Sequence, residues 1–259
     1  MGRVYGLCRV ATSSATIPAV YMGGVLAAAT EAMLPGLCPH CDHPLAGNDR
    51  GLCGACWAMV LPRAGASCAV CGAPVDEEDE PCLGCARSAP PQQGTVVWGE
   101  HDGVLRSAIL SLKHGGRDDL AGPLALRLAA AVAASPWATS IDLVSWVPSH
   151  PLRRFRRPYA AAQMLAIGIA GRLDRPGGKL LVRHGLGRQA ARTRARRLKL
   201  GGRAFTARRS ARNRTVLLID DVITTGTTIR RAAAAVLAAG ASSVFCAALA
   251  ATPSPRRFL

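Results

Sequence analysis

Two adjacent carboxylates, Asp220 and Asp221, stand just before a run that is nearly all hydroxyls around one glycine: Thr224, Thr225, Gly226, Thr227 and Thr228. Threonine hydroxyls and the backbone N–H groups beside a glycine are hydrogen-bond donors suited to a phosphate, and Gly226 lets the chain come close to it. The carboxylates repel a phosphate, so they need another task, such as accepting hydrogen bonds from sugar hydroxyls. A second constellation lies far upstream. Eight of the ten cysteines form four Cys-x-x-Cys pairs, Cys38/Cys41, Cys53/Cys56, Cys68/Cys71 and Cys82/Cys85, separated by 11, 11 and 10 residues. Each pair can form one zinc knuckle, and two knuckles complete a tetrahedral thiolate site with no open position. Four pairs make two structural Zn2+ sites, most simply 38/41/53/56 and 68/71/82/85, although the spacing also permits an interleaved pairing. Regular double spacing favours zinc over a redox dithiol or disulfides. His40 and His43 are then spectators. Cys246 reads as a small core residue.

The elements that must position the acids and the hydroxyl loop are legible around them. Val216–Ile219 is a short apolar run of the kind a buried parallel strand uses, and the acids are expected where it ends. Ile229–Ala239 is an alanine-rich helix closed by Gly240. Strand, loop and helix in that order put the loop at a helix N-terminus, where free N–H groups and the dipole favour an anion. No Gly-Lys-Ser/Thr follows and no dinucleotide glycine triplet is present, so neither a Walker A loop nor a Rossmann fingerprint explains it.

Upstream, Thr95–Trp98 and Ile141–Val147 read as strands, Val104–Lys113, Leu120–Ala134 and Ala160–Leu173 as helices, and Lys179–Val182 as a further strand. Gly185–Arg214 has little apolar periodicity and is expected as a mobile loop or hood; Val244–Leu249 completes the sheet. Strands alternating with helices imply an α/β fold, a mostly parallel sheet with ligands at the C-terminal strand ends. The expected organisation is a tail with a short helix over 1–34, a small zinc-ribbon module over 35–90, and an α/β domain over 95–259. Met22 is an alternative start.

The chain has 259 residues and a net charge of +16, and the charge is local: residues 151–214 hold 19 basic residues against one acid, Asp174. Local basicity points to polyanions, either phosphorylated ligands or a nucleic-acid backbone. Paired cysteines without a convincing signal peptide point to a reducing, cytoplasmic setting. The apolar stretch Ile17–Leu37 is broken by Glu31 and Pro35, so no membrane span is expected.

The stretch from Thr215 to Thr228 resembles the phosphoribosyl-diphosphate (PRPP) signature of type I phosphoribosyltransferases, whose Rossmann-like fold has a parallel sheet. Four Cys-x-x-Cys pairs ahead of such a domain resemble the ComF family, linked to bacterial competence and DNA uptake. The resemblance runs from about residue 25 and includes Leu112-Lys-His-Gly-Gly-Arg117, Val147-Pro-Ser-His-Pro-Leu-Arg153, and Gln189, Arg194, Arg197 and Ala204-Phe205. Two departures stand out. Arg157-Pro-Tyr-Ala-Ala-Ala162 replaces a polar pair of the family by Ala160 and Ala161, and Leu200 stands where an asparagine is usual.

The resemblance implies that Asp220 and Asp221 orient the ribose, that Thr224–Thr228 cradle the 5′-phosphate, and that Mg2+ accompanies PRPP. Candidates for the pyrophosphate are Ser149, His150, Arg153 and Arg154, with Lys113 and Arg117 as further aids. The activity implied is phosphoribosyl transfer to an unknown acceptor. The competing readings are a single-stranded-DNA-binding accessory protein working with DNA-uptake helicase machinery, and a PRPP sensor that turns nothing over. Candidate base-stacking residues are Trp146, Phe155 and Tyr159.

Overall fold

The computed structural model describes residues 36–47, 49–76, 81–149, 160–184 and 204–252. The expected N-terminal tail and helix, His150–Tyr159, and 185–203 with Gln189, Arg194, Arg197 and Leu200 lie outside them.

The cysteine-rich part is two copies of one small unit. In the first, Leu37 and Pro44 form an antiparallel bridge around Cys38 and Cys41; in the second, Ser67 and Pro74 do the same around Cys68 and Cys71. Cys38 N–H donates to His43 O and Cys68 N–H to Ala73 O, at 2.9 and 2.8 Å. Each turn leaves through a left-handed residue, Asp42 (φ 58°) and Gly72 (φ 71°). A five-residue helix then follows the third cysteine of each unit, α1 (Gly54–Ala58) after Cys53 and α2 (Leu83–Arg87) after Cys82.

The α/β part opens with β1 (Gly94–Glu100) and α3 (Gly103–His114), continues through α4 (Ala121–Ala133), β2 (Leu143–Trp146) and α5 (Ala161–Arg172), and reaches the short strands β3 (Leu181–Arg183) and β4 (Phe205–Ala207). It ends with β5 (Thr215–Ile223), α6 (Thr227–Ala238) and β6 (Ser243–Ala251). The sheet order is β1-β6-β5-β2, all parallel. Its two central strands are nearly continuous apolar runs, because a parallel sheet is covered on both faces. On one side Leu217, Ile219 and Leu249 pack with α3, α4 and α5; on the other Val216, Leu218 and Cys246 pack with α6 and the β3–β4 pair.

The apolar stripes of the helices explain this packing. In α3 the buried residues are Val104, Leu105, Ala108, Ile109 and Leu112, one face of a helix. In α6 they are Ile229, Ala232, Ala233 and Val236, and their small side chains let the helix lie close to the sheet.

Three local expectations change. The strand near Lys179–Val182 does not join the parallel sheet; β3 pairs antiparallel with β4, while Gly177 makes a single parallel bridge to Val144. Residues 204–214 are not a mobile loop: Phe205 and Ala211 are buried in one cluster with Leu180 and Leu181, so an arginine-rich segment is pinned by its two apolar members. The acids lie within β5, which runs on to Ile223, rather than beyond its end.

The first ribbon shares a core with the α/β part. Cys38, Leu52, Cys56 and Val60 belong to the cluster containing Leu105, Ala108 and Leu120. The second ribbon covers the exposed edge of β1, where Thr95 N–H donates to Ala69 O at 2.9 Å and Thr95 Oγ1 to Val70 O at 2.8 Å. Capping an edge in this way withdraws its free backbone groups from other chains. Among the described residues no helix is long and apolar enough to cross a membrane.

Candidate functional site

The eight cysteines gather into two groups, Cys38/Cys41/Cys53/Cys56 and Cys68/Cys71/Cys82/Cys85, with all sulfurs of a group within 4.8 Å of one another. The sequential pairing therefore holds and the interleaved one does not. Cys41 Sγ lies 3.6 Å from Cys53 Sγ and 3.5 Å from Cys56 Sγ, and Cys71 Sγ lies 3.6 Å from Cys82 Sγ. A tetrahedron with Zn–S bonds of about 2.3 Å has edges of about 3.8 Å, so the donor set and its spacing fit Zn2+. The first cysteine of each group is prepared as a thiolate. Burial works to raise the Cys38 thiol, but N–H donors of Cys53, His40 and Cys41 outweigh it and bring it down to about 6. Cys68 has the same arrangement, with burial opposed by donors from Cys82, Cys71 and Val70, and falls to about 7. His40 is not a ligand; its Nδ1 lies 3.1 Å from Ser107 Oγ on α3.

At the C-terminal ends of the parallel strands the second site forms. Neighbouring strand residues point to opposite faces, so Asp220 lies on the side of Leu218 and α6, and Asp221 on the side of Ile219 and α3. Lys113, from the last turn of α3, meets Asp221 with Nζ 2.8 Å from Oδ1, both side chains partly exposed. Asp220 Oδ1 accepts the Asp221 N–H at 2.9 Å, and Asp221 Oδ1 accepts the Val222 N–H at 2.7 Å. Burial first, and the neighbouring Asp221 second, push Asp220 up to about 8, against smaller opposing pulls from the Asp221 N–H, Lys113 and Arg183.

The hydroxyl loop wraps a small hollow lined by Asp220, Thr224, Gly226 and Thr228, with Val222, Ile223 and Ile229 as its apolar wall. Gly226 has φ 72°, a left-handed value that side chains rarely adopt. Its carbonyl accepts the Arg230 N–H at 3.0 Å, starting the helix. The Thr225 hydroxyl takes the Thr227 N–H at 3.4 Å and lies 3.0 Å from Thr227 Oγ1. Helix geometry leaves the N–H groups of Thr228 and Ile229 without intrahelical acceptors. Donors, a close backbone and a helix N-terminus thus converge beside a carboxylate; the first three suit a dianion and the last a hydroxyl.

Of the other sequence-predicted residues, Ser149 is half-buried just past β2, whereas His150, Arg153 and Arg154 lie outside the described residues. Ala160 caps the start of α5 and Ala161 is buried, so methyl groups close that end of the helix. Arg117 is not at the site. It forms a two-pronged pair with Asp119 (3.0 and 2.9 Å) and donates from Nη1 to Leu37 O at 2.9 Å, towards the first ribbon. Trp146 is only 8% exposed, inside the core, and offers no stacking surface; Phe155 and Tyr159 lie outside the described residues.

Two residues escape sequence reasoning. Arg183, at the end of β3, donates towards Pro148 O at 3.4 Å, lies over the Phe205 ring at 5.4 Å, and pulls on Asp220. His101, just past β1, sits within the field of Lys113 and Asp221, and its Nε2 is buried with no hydrogen-bond partner among the described residues. Burial, then Lys113 and Arg106, lower its pKa, so the imidazole is held neutral. The available signal was position: a polar residue immediately beyond the C-terminal end of a parallel strand.

Residues 29–86 match the double zinc ribbon domain, and residues 181–258 match the phosphoribosyl transferase domain. A double zinc ribbon precedes a phosphoribosyltransferase domain. The fold is therefore the type I phosphoribosyltransferase parallel sheet with an N-terminal tetra-cysteine module. No curated protein matches the chain. Among solved structures it is similar to an allosteric regulatory enzyme of purine biosynthesis (22% identity over 54% of this chain and 30% of that one, TM-score 0.40). It is also similar to the glutamine PRPP amidotransferase of B. subtilis (23% identity, 54% and 30%, TM-score 0.41) and to a purine phosphoribosyltransferase of Pyrococcus horikoshii (19%, 50% and 74%, TM-score 0.34). The chain spans about a third of the length of the first two.

Proposed function

We propose that this protein binds PRPP, or a related 5′-phosphoribosyl ligand, with Mg2+ and transfers the phosphoribosyl group to an acceptor. The observation that supports this reading is the shared hollow of Asp220 with Thr224, Gly226 and Thr228, in which a hydroxyl acceptor and a phosphate cradle line one space. In the proposed mechanism the loop N–H groups and threonine hydroxyls hold the 5′-phosphate, and Asp220 and Asp221 orient the ribose hydroxyls. The bond from C1 of the ribose to the pyrophosphate oxygen breaks, its electron pair leaves with pyrophosphate, and the acceptor's lone pair closes on C1. Most of the rate comes from positioning and from charge stabilisation of the oxocarbenium-like centre and leaving group. The paired carboxylates are hard oxygen donors that suit Mg2+, which neutralises phosphate charge when bound. Ser149, His150, Arg153 and Arg154 are the candidates for receiving pyrophosphate.

The resemblance to the ComF family supports reading this activity in a DNA-uptake or nucleotide-metabolism setting. Single-stranded DNA and the uptake helicase machinery are the partners that setting implies, with cytoplasmic localisation. Incubating the zinc-loaded protein with Mg-PRPP and a panel of nucleobases tests transfer. Base-dependent pyrophosphate release is expected; tight PRPP binding without release from any base would make the protein a sensor instead.

A further inference from the structure

Helix α3 carries Lys113 to Asp221, and the first ribbon holds that helix on both sides of Lys113. Near its start, Ser107 Oγ lies 3.1 Å from His40 Nδ1. Just past its end, Arg117 Nη1 donates to Leu37 O at 2.9 Å, and the Asp119 carboxylate fixes the guanidinium by two bonds of 3.0 and 2.9 Å. Both grips close on the Cys38 turn, Leu37 immediately before that cysteine and His40 two residues after it. Between them α3 buries Ala108, Ile109 and Leu112 in the core that also contains Cys38, Cys53 and Cys56. Within that turn Cys38 and Cys41 are gathered with Cys53 and Cys56, the arrangement that a bound zinc would hold. The second ribbon is connected differently. Its backbone partner is Thr95 on the edge strand β1, two strands away from β5, and among the described residues it makes no hydrogen bond to α3.

We propose that Arg117 is a positioning residue for the phosphoribosyl site, and that zinc in the first ribbon, but not in the second, sets the affinity of that site. When the first site is loaded, its knuckle holds Leu37 O and His40 in place, α3 is held along its axis, and Lys113 meets Asp221. When it is empty both grips loosen, Lys113 withdraws, and two adjacent carboxylates are left without their cation. This inference rests on the proposed PRPP reading for its ligand, while the packing it describes is independent of any ligand.

The test uses the full chain supplied with zinc and compares wild type, Arg117→Ala, the Ser107→Ala/Arg117→Ala double variant and Cys82→Ser. Zinc content and circular dichroism establish that the arginine variants keep two zinc ions and their fold. Mg-PRPP affinity should fall about tenfold in Arg117→Ala, further in the double variant, and by less than about twofold in Cys82→Ser, which removes only the second site's zinc. Hydrogen exchange without ligand supplies the second readout: residues 103–114 and 215–224 should exchange faster in the arginine variants and not in Cys82→Ser. Unchanged exchange in Arg117→Ala, or an equal effect of Cys82→Ser, would overturn the proposal. Failure of wild type to bind PRPP, with the exchange pattern as expected, would remove the ligand reading and leave the coupling of ribbon to α3 intact.

Discussion

Lys113 Nζ stands 2.8 Å from Asp221 Oδ1, while the adjacent Asp220, on the opposite face of β5, makes no ion pair among the described residues and is pushed up to about 8. One carboxylate of the pair is therefore met by a lysine brought from 108 residues upstream in sequence. The other is shifted towards its protonated form by burial and by its neighbour Asp221.

That asymmetry gives the protein a pH signature. Burial makes the protonated form of Asp220 the one the fold prefers, so the native state keeps a proton that the unfolded chain has lost above about pH 4. The stability this proton brings is whole below about pH 4 and is lost as pH rises through about 8. Denaturant midpoints measured between pH 5 and 9 without ligand should fall with pH, and Asp220→Asn should flatten the fall. An equally steep fall in the variant would place the titrating group elsewhere.

Ligand binding should run in the opposite sense. Ribose hydroxyls donate to an ionised carboxylate, so Mg-PRPP affinity should rise with pH towards 8, and binding below that pH should release a proton. Calorimetry in buffers of different ionisation enthalpy counts it; a wild-type proton count of zero at pH 6.5 speaks against ribose at Asp220.

Lys113→Met should cost more in binding than in folding. The pair is partly exposed, so its loss is expected to lower stability by about 1 kcal/mol, but an Asp221 left without its cation should weaken Mg-PRPP about tenfold. Chemical denaturation and titration on the same variant separate the two effects.

His101 offers the reverse trade. A buried nitrogen without a partner costs about 1–3 kcal/mol, so His101→Phe should leave ligand-free stability unchanged or higher. If that nitrogen meets the ligand, the same variant should bind Mg-PRPP several-fold more weakly. Equal affinity in the two proteins would make His101 a packing residue.

The docking of the first ribbon can be probed without touching a cysteine. Gly51 has φ 80°, and a Cβ there would fall 2.3 Å from Leu120 Cδ2, so Gly51→Ala should lower stability by about 1–3 kcal/mol. A smaller change, read from denaturant midpoints, would mean that Leu120 and the loop give way easily.

The chain order of Val216 to Ala239 made strand, acids, hydroxyl loop and helix legible, because local patterning dictates each of them. The zinc groups were legible for the same reason, although their pairing needed space as well as spacing. What stayed hidden depends on which strands lie side by side. Glu100, Ala251 and Ile223 share one level of the sheet, so His101 reaches the site only through the β1-β6-β5 register. Lys113 and Arg117 sit four residues apart and look alike in sequence, yet one turns to Asp221 and the other to the ribbon. The β3–β4 pairing joins residues on either side of the 185–203 segment, and burial of Phe205 and Ala211 inside a run of arginines leaves no periodic trace.

The most direct test of the central claim is calorimetric titration of Mg-PRPP into the zinc-loaded protein beside an Asp220→Ala/Asp221→Ala double variant. Saturable one-to-one binding by wild type, abolished in a variant that still holds two zinc ions, is the predicted result. Equal binding by both proteins, or none by either, would contradict a phosphoribosyl ligand at β5 and the loop that follows it.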